Sequence, residues 1–136
     1  MPVLETDFLK GLIDGSDRLH VHSVRALAKV ISDGWTIASS SMLELDLLLK
    51  NTDISLAERH EIFESLRAEL DVETVLPLSH AVLSKAALLQ NRYAFPKFYF
   101  DSLHVSTAIL HDGDIVSSDR EFDQIAEVRR IPLEKL

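Results

Sequence analysis

Residues 101–122 read DSLHVSTAILHDGDIVSSDREF, and this stretch predicts a helix that leads directly into a buried strand. Residues 102–110 are small or apolar, which is typical of a packed helix. Residues 111–114 (HDGD) are a turn signal, and residues 115–117 form a short apolar run typical of a strand. Asp119 follows that strand directly. A helix joined to a short apolar strand in this way favours a sheet whose strands are connected by helices.

The rest of the chain repeats this alternation of strand and helix. Short apolar runs predict further strands at residues 3–7, 35–39, 72–78 and, at an edge of the sheet, 128–133. Apolar spacing near the helical period predicts helices at residues 8–13, 17–32, 42–49, 55–70, 79–89 and 120–126. Because parallel strands need crossover connections, these helices are expected to cover both faces of the sheet. We therefore predict a three-layer α/β fold, in which a central parallel sheet of four to five strands is flanked by helices.

Serine residues precede three of the predicted helices and are expected to cap them. Ser40 and Ser41 precede residues 42–49, Ser55 opens a capping-box spacing, and Ser79 precedes the next helix. The leucine-rich residues 42–49 are predicted to form a heavily buried helix. No repeat, low-complexity tract or linker interrupts the chain, so residues 1–136 are predicted to form one domain.

The composition excludes several classes of protein. The 136 residues are 46% hydrophobic and 26% charged, which is typical of a globular protein and not of a disordered one. The absence of cysteine excludes disulfide scaffolds, thiol catalysis, zinc fingers and iron–sulfur clusters. A net charge of −8 argues against a protein that binds nucleic acid through a dense basic face. With no apolar run long enough for a membrane span and no basic flank at the N-terminus, we expect a soluble, cytoplasmic protein.

Five acidic residues stand where a parallel sheet places its ligands, beyond the carboxyl ends of the strands. Glu5 and Asp7 end the first predicted strand, and two-residue spacing in a strand would put them on one side. Asp119 follows the fourth strand, and Asp101 opens the preceding helix, although acids at helix starts are also favoured as caps. Glu44 lies among apolar neighbours, and a buried carboxylate there needs a cation, a donor or a pocket.

Carboxylates that converge at one edge of a sheet repel each other unless a cation lies among them. Oxygen ligands without cysteine favour Mg²⁺ or Mn²⁺, which in such sites act together with the phosphate of a substrate. The residues therefore point to metal-assisted hydrolysis of a phosphoester.

The C-terminal stretch, residues 101–122, resembles the PIN domain, a small metal-dependent ribonuclease domain that includes the toxins of VapBC toxin–antitoxin pairs. The shared pattern is an Asp that opens a small-residue helix, a Gly turn, a strand and an acidic ending. Residues 40–44 (SSMLE) resemble the family's second motif, in which a serine precedes a helical Glu. The first motif departs from the family, because residues 3–9 read VLETDFL where the family has apolar residues followed by Asp-Thr/Ser-Ser/Asn. Either Glu5 or Asp7 therefore takes the place of the first acid.

The resemblance implies an endoribonuclease that holds one or two Mg²⁺ or Mn²⁺ ions through Glu5 or Asp7, Glu44, Asp101 and Asp119. Its implied partners are an RNA substrate, an antitoxin protein and a second copy in a homodimer. No membrane partner is expected.

Other residues have a secondary place in this interpretation. Ser41, Ser117 and Glu121 are expected to support the acidic site, and Asp123 lies one turn beyond Asp119, either at the site or on an exposed face. The aromatic-rich residues 91–100 include three that would contact RNA, unless that loop instead packs on the core or forms a dimer contact. These three residues are Arg92, Lys97 and Phe98.

An alternative function belongs to a different class. A PIN-fold module with weak or no catalysis would act by binding a protein or ribonucleoprotein partner, and the Glu5 departure favours it. A receiver-like fold also gathers acids at strand ends, but this chain has no lysine at the end of a late strand.

Overall fold

The computed structural model describes residues 1–93 and 99–136, and within these residues it contains five parallel strands. The strands are β1 (Val3–Leu4), β2 (Thr36–Ala38), β3 (Val75–Leu76), β4 (Asp114–Ser117) and β5 (Arg129–Pro132). The helices are α1 (Thr6–Ile13), α2 (His20–Asp33), α3 (Ser39–Lys50), α4 (Leu56–Glu69), α5 (His80–Tyr93) and α6 (Tyr99–His111). Short 3-10 helices cover Val72–Thr74, Arg120–Gln124 and Leu133–Lys135.

The sheet has the strand order β3-β2-β1-β4-β5, with β1 in the middle. Val3 pairs with Thr36 of β2 on one side and with Ile115 of β4 on the other. The predicted α/β fold with a parallel sheet is confirmed, and so is the edge position of the last strand. In the described residues no helix is long and apolar enough to cross a membrane.

Helices cover both faces of the sheet because successive strand residues face opposite ways. Leu4 packs in the core under α1 to α4, whereas its neighbour Val3 packs in the core under α5 and α6. In β4, Val116 packs in the same core as Leu4, and Ile115 packs in the same core as Val3. The result is the predicted three-layer arrangement.

The first strand is shorter than predicted, and this changes the setting of two acids. Strand β1 ends at Leu4, and α1 begins at Thr6 because the Glu5 carboxylate accepts the Asp7 backbone N–H at 3.3 Å and caps the helix. Asp7 therefore lies in the first turn of a helix. The prediction that Glu5 and Asp7 share one side of a strand is wrong, although the two carboxylates still meet.

Ser55 and Ser79 cap helices as predicted, whereas Ser40 and Ser41 do not. Ser55 and Ser79 each accept a backbone N–H with Oγ at 3.2 Å, as expected for capping residues. Ser40 and Ser41 instead lie inside α3, which begins at Ser39 without a side-chain cap. Their hydroxyl groups are buried and face His104 from α6.

Other elements are shorter or more exposed than predicted. Helix α3 is less buried than its composition suggests, because three leucines, Leu43, Leu47 and Leu48, are exposed. The predicted strand at residues 72–78 is reduced to β3, preceded by a 3-10 turn. The predicted helix at residues 120–126 is a 3-10 helix over Arg120–Gln124. The turn before β4 matches the prediction, since Gly113 has a φ of 87°, a conformation that glycine adopts without strain.

Candidate active site

One pocket, of about 300 Å³, lies at the carboxyl ends of the central strands. It is lined by Glu5, Thr6, Asp7, Lys10, Glu44, Leu48, Asp101, Ser118 and Asp119. Strands β1 and β4 end directly before Glu5 and Ser118, whereas α3 and α6 supply Glu44 and Asp101. All five acids singled out in the sequence therefore line the same pocket.

Glu5 is the most deeply buried of these acids, with 5% of its surface exposed. Its Oε1 accepts a hydrogen bond from the Ser117 hydroxyl at 2.7 Å, and its Oε2 caps α1. Burial raises the pKa of Glu5 well above its ordinary value, and the neighbouring charge of Asp7 raises it further. Such an environment favours the protonated form of Glu5 in the absence of a cation.

Asp7 has one satisfied oxygen and one unsatisfied oxygen. Its Oδ2 accepts the backbone N–H of Ser118 at 2.6 Å and lies 3.4 Å from the Ser117 hydroxyl. Its Oδ1 is buried and has no hydrogen-bond partner among the described residues. Because a buried carboxylate oxygen without a partner is costly, this atom marks a place where a cation fits.

Glu44 receives hydrogen bonds that stabilise its charge. Burial acts to raise the pKa of Glu44, but hydrogen bonds from His104 and Thr6 act against it, and the pKa lies below its ordinary value. The His104 Nε2 is 3.1 Å from Glu44 Oε1 and also 3.1 Å from Thr6 Oγ1. Glu44 thus has the donor that its apolar sequence context demanded.

His104 was not among the candidate residues that the sequence suggested. It lies on α6 three residues after Asp101, so both side chains project from one face of that helix. Its ring is fully buried, and Nδ1 is 2.7 Å from the Ser40 hydroxyl. The available signal was this i, i+3 relation between a histidine and an acid in an otherwise small and apolar helix.

Asp101 and Asp119 complete the acidic wall of the pocket. Burial and the charges of Glu44, Asp119, Asp7 and Glu121 raise the pKa of Asp101 to about 7. Asp119 caps the following 3-10 helix by accepting the N–H of Glu121 at 2.9 Å, and its own N–H donates to Ser117 Oγ at 2.9 Å. Asp119 is therefore held in place by backbone geometry while it lines the pocket.

The residues expected to support the site occupy different places. Ser117 connects Glu5, Asp7 and Asp119 through its hydroxyl group. Ser41 is buried with Oγ 3.5 Å from His104 Nδ1. Glu121 is exposed, and its charge contributes to the raised pKa of Asp101.

Asp123 and Arg92 are engaged elsewhere. Asp123 forms a two-pronged ion pair with Arg130, at 2.9 and 3.1 Å, and does not line the pocket. Arg92 pairs with Glu127 at 2.5 Å. Lys97 and Phe98, the other two residues expected to contact RNA, lie outside the described residues.

Lys10 is a second pocket residue that the sequence reasoning missed. It lies one turn after Asp7 on α1 and lines the acidic pocket with an exposed side chain. Its positive charge helps to lower the pKa of Glu44. Of the side chains that line this pocket in the described part of the chain, it is the one cation, so it stands where an anionic substrate would approach.

The donor set of the pocket fits a hard divalent cation. The carboxylates supply oxygen ligands, and Asp7 Oδ1 has no hydrogen-bond partner among the described residues. Burial, followed by the negative charges of the neighbouring acids, raises the pKa of Asp101. A tighter group within the site consists of Glu5, Glu44 and His104, whose ligand atoms lie within 4.8 Å of one another. The acids able to hold an ion in this pocket are Glu5, Asp7, Glu44, Asp101 and Asp119, and the buried His104 contacts one of them, Glu44.

Comparison with known proteins gives one family and several related structures. A protein-family model described as PIN domain matches residues 3–128. No curated protein sequence matches the chain. Among solved structures, FitAcB from Neisseria gonorrhoeae aligns with a TM-score of 0.75 and 16% identity over 100% of both chains.

Two further structures are also assemblies. VapBC2 from Rickettsia felis, bound to a DNA fragment from the promoter, aligns with a TM-score of 0.69 and 17% identity over 95% of this chain and 96% of that chain. A toxin–antitoxin complex from Klebsiella pneumoniae aligns with a TM-score of 0.66 and 14% identity over 98% of each chain. At such identities the likeness concerns the fold.

Proposed function

The chain belongs to the PIN domain family, and from this premise we propose that it is a divalent-metal-dependent endoribonuclease. The observation that carries the proposal is the convergence of Glu5, Asp7, Glu44, Asp101 and Asp119 on one pocket, where Asp7 Oδ1 is buried and has no hydrogen-bond partner in the part of the chain that the structure describes. Structural acids normally find a cation or a donor within the protein. Acids that are kept together without one are expected where a bound ion completes the site.

In this proposal Mg²⁺ or Mn²⁺, when bound, activates water and stabilises the charge that develops on a phosphodiester during in-line displacement. Asp7, Asp101, Asp119 and Glu44 supply the ligand oxygens, and Glu5 supports them from its buried position. Ser117 fixes the relative placement of Glu5 and Asp7 through its hydroxyl group. The Lys10 ammonium group, at the edge of the pocket, attracts the RNA phosphate.

The direct test is cleavage of a mixed RNA pool by the purified protein in Mn²⁺, in Mg²⁺ and in EDTA. We expect metal-dependent cleavage that Asp101→Asn lowers by about 100-fold, because the substitution removes a negatively charged ligand. The matched control is Asp46→Asn, which changes an acid of α3 that pairs with Arg59 and does not line the pocket. Unchanged cleavage by a folded Asp101→Asn protein would refute the assignment.

We further propose that the protein is the toxin of a VapBC-type pair and that a small antitoxin is its partner. Support comes from the related structures. One is described as a toxin–antitoxin complex, one as FitAB bound to a DNA fragment and one as VapBC2 bound to a DNA fragment. An apolar groove of about 410 Å³ between α1, α3 and α4 adjoins the acidic pocket, since Lys10 and Leu48 line both. An antitoxin segment seated in this groove would reach the carboxylates.

The antitoxin proposal predicts that a small protein is encoded beside this chain, and co-expression of the two proteins tests it. We expect a complex that purifies as one species and cleaves RNA more slowly than the free protein. Substitution of Leu48 by Asp should weaken that complex, because it places a charge in the groove. Retained assembly with Leu48→Asp would place the partner on another surface.

A second function remains supported by one observation, the presence of Glu5 where the family has the first acid. A PIN-fold module of this kind would bind a protein or ribonucleoprotein partner without cleaving RNA. A thermal-shift titration separates the two functions, because an ion that binds the native state raises its stability. Mn²⁺ binding without cleavage of any RNA would favour the binding module, and Mn²⁺ binding with cleavage would favour the enzyme.

A further inference from the structure

His104 is a fully buried imidazole whose two nitrogens both have polar partners. Nδ1 lies 2.7 Å from Ser40 Oγ, and Nε2 lies 3.1 Å from both Glu44 Oε1 and Thr6 Oγ1. The ring also stacks on Phe100, with a centroid distance of 6.3 Å and an interplanar angle of 28°. These hydrogen-bond partners, together with the packing of Phe100 on α6, therefore hold the ring in one orientation.

The contacts determine where the imidazole carries its proton. A lone pair on Nε2 would face the lone pairs of the Glu44 carboxylate at 3.1 Å, which is repulsive, whereas an Nε2–H donates to it. With Nε2 protonated, Nδ1 is an acceptor in the neutral ring, and the Ser40 hydroxyl is a donor that satisfies it. The two hydrogen bonds thus run in one direction, from the Ser40 hydroxyl through the His104 imidazole to the Glu44 carboxylate.

This series of hydrogen bonds ends at Glu44, an acid that lines the proposed metal site. An apolar side chain at position 104 would fill the space between α3 and α6 without the cost of burying a polar ring. The imidazole instead holds Glu44 Oε1 at 3.1 Å, and Thr6 also donates a hydrogen bond to this carboxylate. Carboxylates that bind metals are commonly oriented by hydrogen bonds of this kind, and loss of such a bond weakens metal binding.

We propose that His104 is a positioning residue, which orients the Glu44 carboxylate toward the bound cation by donating Nε2–H to Oε1 while Ser40 fixes the ring. The inference rests on the proposed metal-dependent function and adds a residue to it. His104 itself does not contact the ion in this arrangement.

The test is Mn²⁺ binding to the purified chain, measured by isothermal titration calorimetry without RNA. We expect His104→Leu, which has no donor, to weaken the Kd for Mn²⁺ by about 10- to 100-fold. His104→Gln keeps an N–H donor and should recover part of that loss. Ser106→Ala is the matched control, because Ser106 is equally buried on α6 and its hydroxyl donates to the Ser102 carbonyl oxygen at 2.6 Å. Its Kd should equal that of the wild type.

A milder variant keeps the test valid if His104→Leu fails to fold. Ser40→Ala leaves the imidazole and Glu44 in place and removes the nearer partner of Nδ1, while Ser41 Oγ stays 3.5 Å away, so it should weaken Mn²⁺ binding less than His104→Leu. Equal Kd values for the wild type and for whichever variant folds would overturn the inference alone. A wild-type protein that binds no Mn²⁺ would overturn the proposed function together with the inference.

Two spectroscopic results bear on the role of the ring itself. In the metal-free protein, the imidazole ¹⁵N spectrum of His104 should show the proton on Nε2, and a proton on Nδ1 alone would overturn the inference. In the Mn²⁺-bound protein, electron spin echo spectra should lack the coupling of a directly bound ¹⁴N. Such a coupling, lost in His104→Gln, would make His104 a metal ligand instead of a positioning residue.

Discussion

Two acids of the pocket, Glu5 and Asp101, and three acids of the remaining surface are held in opposite ways. Asp114, Asp123 and Glu127 each pair with an arginine or lysine, and hydrogen bonds from these partners lower their pKa values. Glu5 and Asp101 face other acids, and burial followed by the neighbouring negative charges raises their pKa values. The same side-chain type is therefore neutralised within the protein in one region and left unbalanced in the other.

This difference separates structural charge from charge that is available for binding. The chain carries 14 basic residues. Among those that pair with surface acids are Lys85, Arg92, Arg129 and Arg130. Of the described side chains lining the pocket, the five acids face one lysine, Lys10. If the proposed function is correct, we expect such a group of acids to destabilise the metal-free fold and to favour binding of a divalent cation. The following predictions test that contrast.

The largest effect is expected within the first acidic pair. Asp7→Asn should lower metal-dependent cleavage by about 100-fold, equivalent to about 2.7 kcal/mol, because Asp7 Oδ1 lines the pocket and is buried without a hydrogen-bond partner among the described residues. Glu5→Gln should lower it less, since both Glu5 oxygens already accept hydrogen bonds from Ser117 and Asp7. The measurement is the initial rate of RNA cleavage in Mn²⁺ for the two variants. The opposite order would assign the first ligand position to Glu5.

The second prediction concerns stability in the presence of metal. Mn²⁺ at about 100 times its Kd should stabilise the wild type by about 2.7 kcal/mol, because the ion binds only the native state. Thermal unfolding with Mn²⁺ and with EDTA measures this gain. Asp7→Asn should lose most of the gain, whereas Asp114→Asn, at a surface ion pair, should keep it. An equal gain in all three proteins would place the ion outside the pocket.

The third prediction concerns the pH dependence of the metal-free protein. The folded Asp101 holds its proton to a pKa of about 7, whereas the unfolded carboxyl releases it near 3.8. The folded state therefore binds more protons between these pH values, and this group reduces stability as pH rises from about 4 to about 7. Because Asp101 is partly exposed, solvent screening limits the effect to roughly 1 to 2 kcal/mol.

The measurement is urea unfolding in EDTA of the wild type and Asp101→Asn from pH 4 to pH 8. Asp101→Asn should become more stable than the wild type as pH rises, and the difference should level off above pH 7. A difference that does not change with pH would mean that the Asp101 carboxyl has an ordinary pKa. This stabilised variant is also the one expected to lose cleavage, so stability and activity should move in opposite directions.

The sequence allowed the fold to be predicted because its signals are local. Alternating apolar runs, the Gly113 turn and the caps at Ser55 and Ser79 each depend on residues a few positions apart. Strand lengths were less predictable, since the capping role of Glu5, and not an apolar pattern, determines where β1 stops and α1 begins. The short elements before β3 and after β4 were misjudged for a similar reason, because tertiary contacts decide between a 3-10 turn and a regular element.

The acids of the site were predictable from the rule that ligands bind at the carboxyl ends of parallel strands. His104 and Lys10 were not, because their importance depends on contacts between distant segments. The hydrogen bond from His104 to Glu44 joins residues 60 positions apart, and that between His104 and Ser40 joins residues 64 positions apart. Spacing within one segment carries no information about such partners.

The smallest effect is expected at a surface pair. Arg129 binds Asp114 with two hydrogen bonds, of 2.8 and 2.6 Å, but the Arg129 side chain is 74% exposed. A double-mutant cycle with Arg129→Ala and Asp114→Ala should therefore give a coupling free energy of only about 0.2 to 1 kcal/mol, and that value should fall as salt is added. Cleavage should be unchanged in all three variants. A coupling free energy above about 2 kcal/mol would be as large as that expected for a buried ion pair. Exposure would then not weaken this surface pair, and the two regions would differ in the partners of their acids and not in burial.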